Sequence, residues 1–461
     1  MKVKEIYIKD FRQFKDFKLD LTYPKGHAKE GLPLDKVCFI GQSGTGKTSL
    51  LKFIYLSQVP HEADEKINTL EIENNIFLKV LNTDNQKATL SFKKTNFTSG
   101  EPELKRIINT GSISYESLQN EKSIALGSLE SIRAKTLDKT DLSPENLIYF
   151  PSSLRFEIKK TNEKSNHINK QLFDFSKINI YSVWELLIVD ITKHQETELK
   201  IRQDISIAAE TGDLKKIQKE VKKLEEWKKN TFNPIKDVAD NCINQLIKHY
   251  SLRVKEDLDF QQKDDIGFIK IEDFDGNEVP HYAWSTGTKQ VILSALPLYL
   301  LKPKNSIILF DEPETSLYPD LQRVIIDYYQ SFTKDSQFFY ATHSPIIASS
   351  FEPWVIVELK FNEEGHVYRE LYYEEENHVD NYYIDPRFLN FDLMLKKVFD
   401  MDQTNGDKRY EALGEYGMLK NQLDRLKKEN KLQTPEAKDI YKKFKSLSKK
   451  LAVNPEQYAA T

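Results

Sequence analysis

Residues 41–48 combine glycines, a lysine and a threonine in an order that can hold a polyphosphate. The run is Gly41, Gln42, Ser43, Gly44, Thr45, Gly46, Lys47 and Thr48, and Ser49 follows it. An apolar strand pattern precedes the run and a helical pattern follows it, as the phosphate-binding pattern G-x-x-x-x-G-K-[ST] requires. Backbone N–H groups and the positive end of the new helix can then face the same anion. The pattern predicts that Lys47 contacts the β- and γ-phosphates of ATP and that the Thr48 hydroxyl binds Mg²⁺.

A second run, far downstream, ends an apolar stretch with two adjacent carboxylates. Asp311 and Glu312 follow the apolar residues 307–310. A buried strand of this kind predicts that Asp311 reaches the metal ion, through water, and that Glu312 acts as the base toward the attacking water. Adjacent acidic residues after an apolar run also arise by chance. The stretch that follows, PETSLYP, is similar to the D-loop of ABC-type ATPases, which lies next to their dimer interface.

Two further segments carry candidate γ-phosphate contacts. Ser285 and Gly287 lie in the run WSTGTKQ, just before an apolar helix pattern. We predict that they hold the γ-phosphate of ATP bound to the opposite subunit, although Ser-Thr-Gly-Thr before a helix is also an ordinary N-cap. His343 follows an apolar strand in ATHSP, and we predict that it contacts the γ-phosphate and polarises the attacking water. A structural histidine is the alternative.

One expected element of such a site is poorly matched. A glutamine should follow the short apolar strand 147–150, but the sequence there reads PSSLR. Ser152 or Ser153 could take the metal-side role, or the loop could be arranged differently.

The region between these motifs has a different character. Residues 183–252 are highly charged and helix-forming, with no proline before Pro234. Leu214, Ile217, Val221 and Leu224 recur at the spacing of a coiled-coil seam, and a weaker seam lies upstream at Leu187, Ile191, Ile201, Ile205 and Ala208. The sequence predicts an antiparallel helical hairpin that turns near residues 210–213, with two arms of about 25 residues, each about 40 Å long. An ordinary packed helix pair is the alternative.

Composition limits the class of protein. Of the 461 residues, 39% are hydrophobic, which is enough for a real core. The net charge of −4 excludes a basic field over the whole chain, although a local basic patch remains compatible with it. Neither of the two cysteines, Cys38 and Cys242, has a close Cys or His partner, so we predict neither a disulfide framework nor a zinc site. Without a long apolar run, we expect a cytoplasmic protein that makes no membrane contact.

Together, IYIKDFRQF at the N-terminus, the 41–48 loop, WSTGTKQ, LFDEPETSLYPDLQ and ATHSP resemble the OLD-like AAA/ABC ATPases, close to SMC and RecF heads. The resemblance covers residues 1–55 and 280–360 and weakens over the hairpin. It implies an α/β fold, an ABC/SMC-type P-loop ATPase head with a mixed sheet, a helical-hairpin insertion and a helical C-terminal tail. ATP and Mg²⁺ would be sandwiched in a head-to-tail dimer. The expected domains are residues 1–180, the N-lobe; 181–255, the hairpin; 256–384, the C-lobe; and 385–461, a helical region for partner docking.

Many members of this group act in bacterial anti-phage defence. Some carry a C-terminal Toprim nuclease, but we find neither a Toprim nor an HNH pattern after residue 360. The resemblance is therefore greatest to the PtuA-type ATPases of Septu systems, whose partner in trans is the HNH nuclease PtuB, and next to the AriA-type ATPases of PARIS systems. It implies a slow regulatory ATPase that could also meet DNA or a phage trigger. The alternatives are a RecF/SMC-like DNA maintenance ATPase and, last, a transporter ATPase.

Overall fold

The apolar runs of the sequence form the strands of one large mixed sheet in the computed structural model, which describes residues 2–58, 76–81, 87–92, 145–154, 172–176, 181–256, 269–372, 375–401 and 406–453. The chain divides into two units, Met1–Leu389 and Asn390–Thr461. Among the described helices, none has both the length and the apolar character that crossing a membrane requires.

The strands of the first unit, in chain order, are β1 Lys2–Phe11, β2 Phe14–Asp20, β3 Lys36–Gly41, β4 Ile76–Leu81, β5 Lys87–Phe92, β6 Leu147–Phe150, β7 Leu172–Asp174, β8 Leu252–Val254, β9 Ile271–Asp273, β10 Glu278–Val279, β11 Ile307–Asp311, β12 Gln337–Ala341, β13 Ile356–Phe361 and β14 Val367–Arg369. Its α-helices are α1 Lys47–Gln58, α2 Tyr181–Glu210, α3 Leu214–Asn230, α4 Pro234–Val238, α5 Asn244–Ile247, α6 Thr286–Leu301, α7 Pro319–Ser331 and α8 Pro345–Ala348. A π-helical turn, Ala239–Ile243, joins α4 to α5.

In the described ranges the large sheet has the order β5-β4-β1-β2-β14-β13-β3-β12-β11-β6-β7. The strands from β13 to β7 run parallel, while β5, β4, β1 and β2 pair antiparallel. Because neighbouring parallel strands end at the same edge, the ends of β3, β12 and β11 bring Gly41, Ala341 and Asp311 together. The α/β class and the mixed sheet predicted from the sequence are therefore confirmed.

Buried aromatic rings attach helix α7 to the end of β11. The Phe310 ring stacks on Phe150 of β6 and on Tyr329 of α7, with both centroid distances at 4.5 Å. Such pairs contribute about 0.5–1.5 kcal/mol each beyond the area they bury. Since Phe310 immediately precedes Asp311, this packing fixes the backbone that carries the carboxylate.

The predicted helical hairpin is present, with arms of unequal length. Its first arm, α2, has 30 residues and its second, α3, has 17, which correspond to about 45 Å and about 26 Å. Asp213 caps α3 by accepting hydrogen bonds from the Lys215 and Lys216 N–H groups. Ion pairs of Lys223 with Asp204 and of Lys228 with Glu198 show that the arms are antiparallel.

The seam of the second arm differs from the predicted one. Leu214 and Val221 are 73% and 38% exposed, whereas Ile217, Leu224 and Trp227 are partly covered. The upstream seam agrees with the prediction, since Leu187, Ile191, Ile201 and Ala208 are buried and Ile205 is half-buried. A two-helix hairpin can cover only one stripe of α3, and the covered stripe is rotated toward Trp227, which packs on His194 of α2 at 4.6 Å.

The second unit is helical, as the sequence predicts for the tail. It contains α9 Phe391–Lys397, α10 Asp407–Lys428 and α11 Pro435–Leu451. Leu419 and Leu423 of α10 form a small core with Phe444, Leu447 and Leu451 of α11. Thr434 caps α11 by accepting a hydrogen bond from the Ala437 N–H.

Candidate functional site

The 41–48 loop links the end of β3 to the start of α1, and its glycines adopt backbone angles that other residues avoid. The φ angles of Gly41, Gly44 and Gly46 are 139°, 87° and 88°. A Cβ atom on Gly41 would lie 2.3 Å from the Leu359 carbonyl oxygen of β13. One on Gly46 would lie 2.4 Å from the Gln13 side chain. The loop is therefore packed against both neighbours, and Gly41 and Gly46 have no room for a side chain.

Within the loop, Thr45 is fully buried and its hydroxyl donates to the Gln42 carbonyl at 2.8 Å. Gln42, Ser43 and Gly44 are exposed, and Ser49 is partly covered in the first turn of α1. The exposed part of the loop thus faces solvent, where an anion could enter, while Thr45 holds its shape.

Gln13 is a neighbour of the loop that the sequence patterns did not single out. It lies between β1 and β2, and its side-chain amide donates to the Gly44 carbonyl at 3.1 Å. The turn between the first two strands therefore supports the phosphate loop by a hydrogen bond. Only the position of Gln13 within the stretch KDFRQF could have suggested this role.

Lys47 lies at the start of α1, and its ammonium group is turned into the loop. Its Nζ atom donates to the carbonyl oxygens of Gly41, at 2.8 Å, and Gln42, at 3.0 Å. Burial lowers the pKa of Lys47 to about 8, although the negative charges of Glu312 and Asp311 oppose the shift. The N–H donors of the Lys47 ammonium are thus used by two neutral carbonyls, and a charged phosphate would be a stronger acceptor. Lys47 could therefore exchange these carbonyls for a bound phosphate.

Thr48 and Asp311 meet across the site. The Thr48 hydroxyl donates to Asp311 Oδ1 at 2.9 Å, and the Tyr149 hydroxyl of β6 lies 3.4 Å from Asp311 Oδ2. Burial raises the pKa of Asp311, and the Thr48 hydrogen bond opposes that shift. Hydroxyl and carboxylate oxygens are the donors that Mg²⁺ prefers. The residues present therefore fit the predicted metal ion, and Tyr149 is a neighbour that the motifs did not indicate.

Glu312 follows Asp311 with a left-handed backbone, at a φ of 50°. Its N–H donates to the Ala341 carbonyl at 2.8 Å, which ties it to the end of β12. Its Oε2 atom accepts from the Thr315 hydroxyl at 3.3 Å. A left-handed non-glycine residue at a strand end is strained and is common where a side chain must point into a site.

His343 lies past the end of β12 and is exposed. Partial burial and the positive charge of Lys47 lower the pKa of His343, against an opposing effect of Glu312. The shift favours the neutral imidazole. The charges of Lys47 and Glu312 thus act on His343, and the charge of Glu312 also acts on Lys47.

Glu314 organises the backbone around His343, and sequence patterns gave it no role. Its Oε1 atom accepts hydrogen bonds from the Thr342 hydroxyl, at 2.7 Å, and from the His343 N–H, at 3.0 Å. Within the described chain its Oε2 atom is buried and accepts no hydrogen bond. Burial raises the pKa of Glu314, while the bonds from Thr342 and His343 oppose the shift.

Ser285 and Gly287 lie at the start of α6. Ser285 caps α6, where its hydroxyl accepts from the Thr288 N–H at 3.0 Å. Gly287 is buried, and a Cβ atom there would lie 2.5 Å from the Ser316 carbonyl and 3.1 Å from the Tyr250 hydroxyl. Ser285 thus contacts Thr288 and Lys289 of its own helix, and Gly287 packs against Ser316 and Tyr250. The N-cap alternative is present, and it leaves the Ser285 side chain exposed.

The poorly matched segment after β6 follows the same sheet edge. Since Phe150 pairs with Phe310, residues 151–154 start beside Asp311. Ser152 and Leu154 are partly covered and Ser153 is exposed. Because this segment starts beside Asp311, Ser152 and Ser153 remain candidates for the metal-side role of the glutamine expected after β6.

A family model described as an AAA ATPase domain matches residues 1–348. Among solved structures, the chain is similar to an SMC head domain from Thermotoga maritima (13% identity, TM-score 0.39, covering 80% of this chain and 98% of that one). It is also similar to an SMC head bound to the C-terminal winged-helix domain of ScpA (13%, 0.41, 80% and 97%) and to one from Pyrococcus furiosus with an extended coiled coil bound to a C-terminal domain of ScpA (14%, 0.40, 80% and 96%). No curated protein matches the chain significantly.

Proposed function

The chain belongs to the AAA ATPase domain family, and from this we propose that it is an Mg²⁺-dependent ATPase whose nucleotide state controls its association with a second copy of itself. The observation that carries the proposal is the 2.9 Å contact between Thr48 and Asp311. The two residues come from motifs far apart in sequence, and each is the predicted metal-side residue of its motif. Their meeting beside Lys47 supports one composite site.

Each residue of the site has a separate role in binding or hydrolysing ATP. Lys47 would exchange the two loop carbonyls for phosphate oxygens. Thr48 and Asp311 would hold Mg²⁺, which neutralises phosphate charge when bound. Glu312 would accept a proton from the attacking water, and neutral His343 would orient that water. The hydrogen bonds from Thr342 and His343 to Glu314 would keep the imidazole in place.

The test of this chemistry is a pair of variants. Lys47→Ala removes charged hydrogen bonds to phosphate, each of which contributes about 1.5–3 kcal/mol, so ATP should bind at least about tenfold more weakly. Glu312→Gln should keep ATP binding and lower turnover by about 10² to 10⁴-fold, the usual contribution of a general base. Glu364→Gln, at an exposed site, is the control. Turnover at the wild-type rate in Glu312→Gln would exclude Glu312 as the base.

We infer that ATP joins two copies head to tail. Ser285 is exposed at the start of α6 and its described contacts are with its own helix, which leaves a helix N-terminus available for the γ-phosphate of a facing subunit. Glu312→Gln with ATP should therefore elute as a dimer, and Glu312→Gln combined with Ser285→Arg should remain a monomer that still binds ATP. A double variant that dimerises equally well would contradict this arrangement.

For the biological role, we propose a regulatory subunit of an anti-phage complex that controls a nuclease supplied in trans, of the HNH type found in PtuB. The support is the resemblance of the motifs. We further propose that residues 385–461 dock this partner. Co-expression with the products of neighbouring genes, followed by purification, tests the proposal: a nuclease should be retained by the full chain and lost when residues 390–461 are removed. Retention of no nuclease would refute it.

The alternative role, a DNA-clamping ATPase, draws on the lysines of α3. No residue of α3 is buried, and Lys215, Lys216 and Lys229 are exposed. However, Lys223 and Lys228 are paired with acidic residues of α2, which reduces the free positive charge. If α3 holds DNA, duplex binding should weaken steeply with salt and Lys215→Glu with Lys216→Glu should reduce it. Binding that is unchanged by these substitutions would exclude this surface.

A further inference from the structure

Three side chains behind the phosphate loop form a cluster that the ATPase chemistry does not use. Glu358 lies on β13, and His378 and Asp380 lie in the segment that follows β14. We propose that Glu358, His378 and Asp380 bind a divalent transition-metal ion of the Zn²⁺ class, at a site separate from the Mg²⁺ site.

The spacing of the three groups suits one ion. One ligand atom from each residue lies within 4.8 Å of the other two. His378 Nε2 and Glu358 Oε2 are 3.5 Å apart. Zinc bonds of about 2.0–2.1 Å to nitrogen and oxygen place tetrahedral ligands about 3.4 Å apart. One imidazole and two carboxylates are therefore close to the separation that an ion would impose, and a water molecule could complete the set.

Asp380 is the observation that points to a ligand. Its side chain is 0% exposed, and within the described ranges neither of its carboxylate oxygens accepts a hydrogen bond. Its described partner is Arg369, whose Nη2 atom is 3.5 Å from Oδ1. A buried carboxylate without hydrogen bonds is costly. A cation bound by Asp380, His378 and Glu358 would remove that cost.

Surrounding groups would fix the ligands in place. The Tyr372 ring stacks on the His378 imidazole with a centroid distance of 3.6 Å and an interplanar angle of 20°. Lys360 contacts the other oxygen of Glu358, Oε1, at 3.3 Å. Each carboxylate thus has one oxygen near a basic side chain. Outer contacts of this kind orient metal ligands and tune their affinity.

The site uses no cysteine, which explains why cysteine spacing gave no sign of it. It also lies directly behind the phosphate loop, since Glu358 pairs with Ile40 and Leu359 with Gly41. A bound ion would fasten the segment around His378 to β13, the strand against which Gly41 packs.

The experiment uses the full chain, stripped of metal with a chelator and free of nucleotide. Zn²⁺ binding is measured by competition with a chromophoric chelator and by elemental analysis after gel filtration, and Co²⁺ is used to record a ligand-field spectrum. Wild type should bind one more Zn²⁺ ion per chain than His378→Gln or Asp380→Asn. If the variants still bind this ion, their affinity for it should be at least about tenfold lower. Zn²⁺ should also raise the melting temperature of wild type more than that of the variants.

Two controls separate this site from others. His366→Gln removes a histidine that is also near a carboxylate, Glu364 at 3.2 Å, but in a more exposed place, and it should retain the extra equivalent. Asp311→Asn should retain it too, because the ion does not depend on the proposed ATPase site. Equal Zn²⁺ binding by wild type, His378→Gln and Asp380→Asn, with all three folded by circular dichroism, would overturn the proposal. So would a folded wild type that takes up no Zn²⁺ or Co²⁺.

Discussion

Replacing Gly41 with alanine tests whether the phosphate loop is held in shape by β13. Gly41 has a φ of 139°, and its ideal Cβ position is 2.3 Å from the Leu359 carbonyl oxygen and 3.2 Å from the Leu359 carbonyl carbon. Both atoms belong to the backbone of a central strand, so no side-chain rotation can relieve the contact. The two strands would have to separate locally, or the loop would have to change its path.

The size of the effect follows from two contributions. A non-glycine residue at a strongly unfavourable φ costs about 1–3 kcal/mol. Forcing an extra carbon into a packed interior costs about 1–3 kcal/mol more. Gly41→Ala should therefore destabilise the first unit by about 2–6 kcal/mol and should also weaken nucleotide binding.

Gly44 provides the matched control, because it shares the positive φ without the clash. Its φ is 87°, and the nearest atom to an added Cβ would be Phe361 Cζ at 3.8 Å, an ordinary contact. Gly44→Ala should thus cost only the backbone contribution, about 1–3 kcal/mol. The free energies of unfolding of both variants are compared by urea denaturation without nucleotide, monitored by tryptophan fluorescence and circular dichroism. The excess for Gly41→Ala measures the contact with Leu359.

A Gly41→Ala variant that is no less stable than Gly44→Ala would contradict this expectation. That result would mean that the β3–β13 contact yields to an added methyl group, so β13 would not hold the loop. A large loss of stability in both variants would instead show that the unfavourable φ angle costs more than the contact with Leu359.

Three other predictions concern the same site. Without ATP the pKa of Lys47 is about 8, and a bound phosphate would raise this pKa. Above pH 8, ATP binding should therefore take up a proton, which calorimetry in buffers of different ionisation enthalpy would detect, and ATP affinity should fall by up to about tenfold per pH unit. An equal dependence of ATP affinity on pH in Lys47→Ala would rule out Lys47 as the group that takes up the proton. Thr48→Val should weaken Mg²⁺-dependent ATP binding by about tenfold while Thr48→Ser keeps it, and loss in neither would remove the hydroxyl from the metal site. Glu314→Ala leaves the Thr342 hydroxyl and the His343 N–H without their acceptor, so it should lower the free energy of unfolding by about 1–3 kcal/mol. It should also slow ATP turnover with little change in ATP affinity. Unchanged turnover would show that Glu314 does not position His343.

The local parts of the fold and site could be predicted from the sequence because each is set by a short pattern. The glycine-rich loop, the apolar strand before Asp311 and the strand before His343 each occupy fewer than ten residues, and each forms as expected. Parallel pairing of β3, β12 and β11 then follows from their burial and brings the motifs to one edge. The existence of the hairpin was also predicted, because Asp213 and the turn at Gly212 interrupt a long helical pattern.

Features that depend on pairing between distant segments could not be predicted in the same way. Periodicity alone placed Leu214 and Val221 on the seam of α3, but the register against α2 decides which stripe is covered, and it favours Ile217 and Leu224. Tyr149 and Glu314 are ordinary members of apolar and polar runs until the sheet order places them next to Asp311 and His343. Their roles arise from geometry rather than from residue type.

The strand β13 shows how such distant pairing could matter for function. Its Leu359 carbonyl meets Gly41, and the preceding residue, Glu358, belongs to the buried cluster with His378 and Asp380. A second contact comes from the β1–β2 turn, where the Gln13 amide reaches Gly44. The phosphate loop thus contacts two elements that supply no predicted catalytic or metal-binding side chain, and a change in either would move the loop backbone. Substitutions in β13 or the β1–β2 turn should therefore change nucleotide affinity before they change the rate of the chemical step.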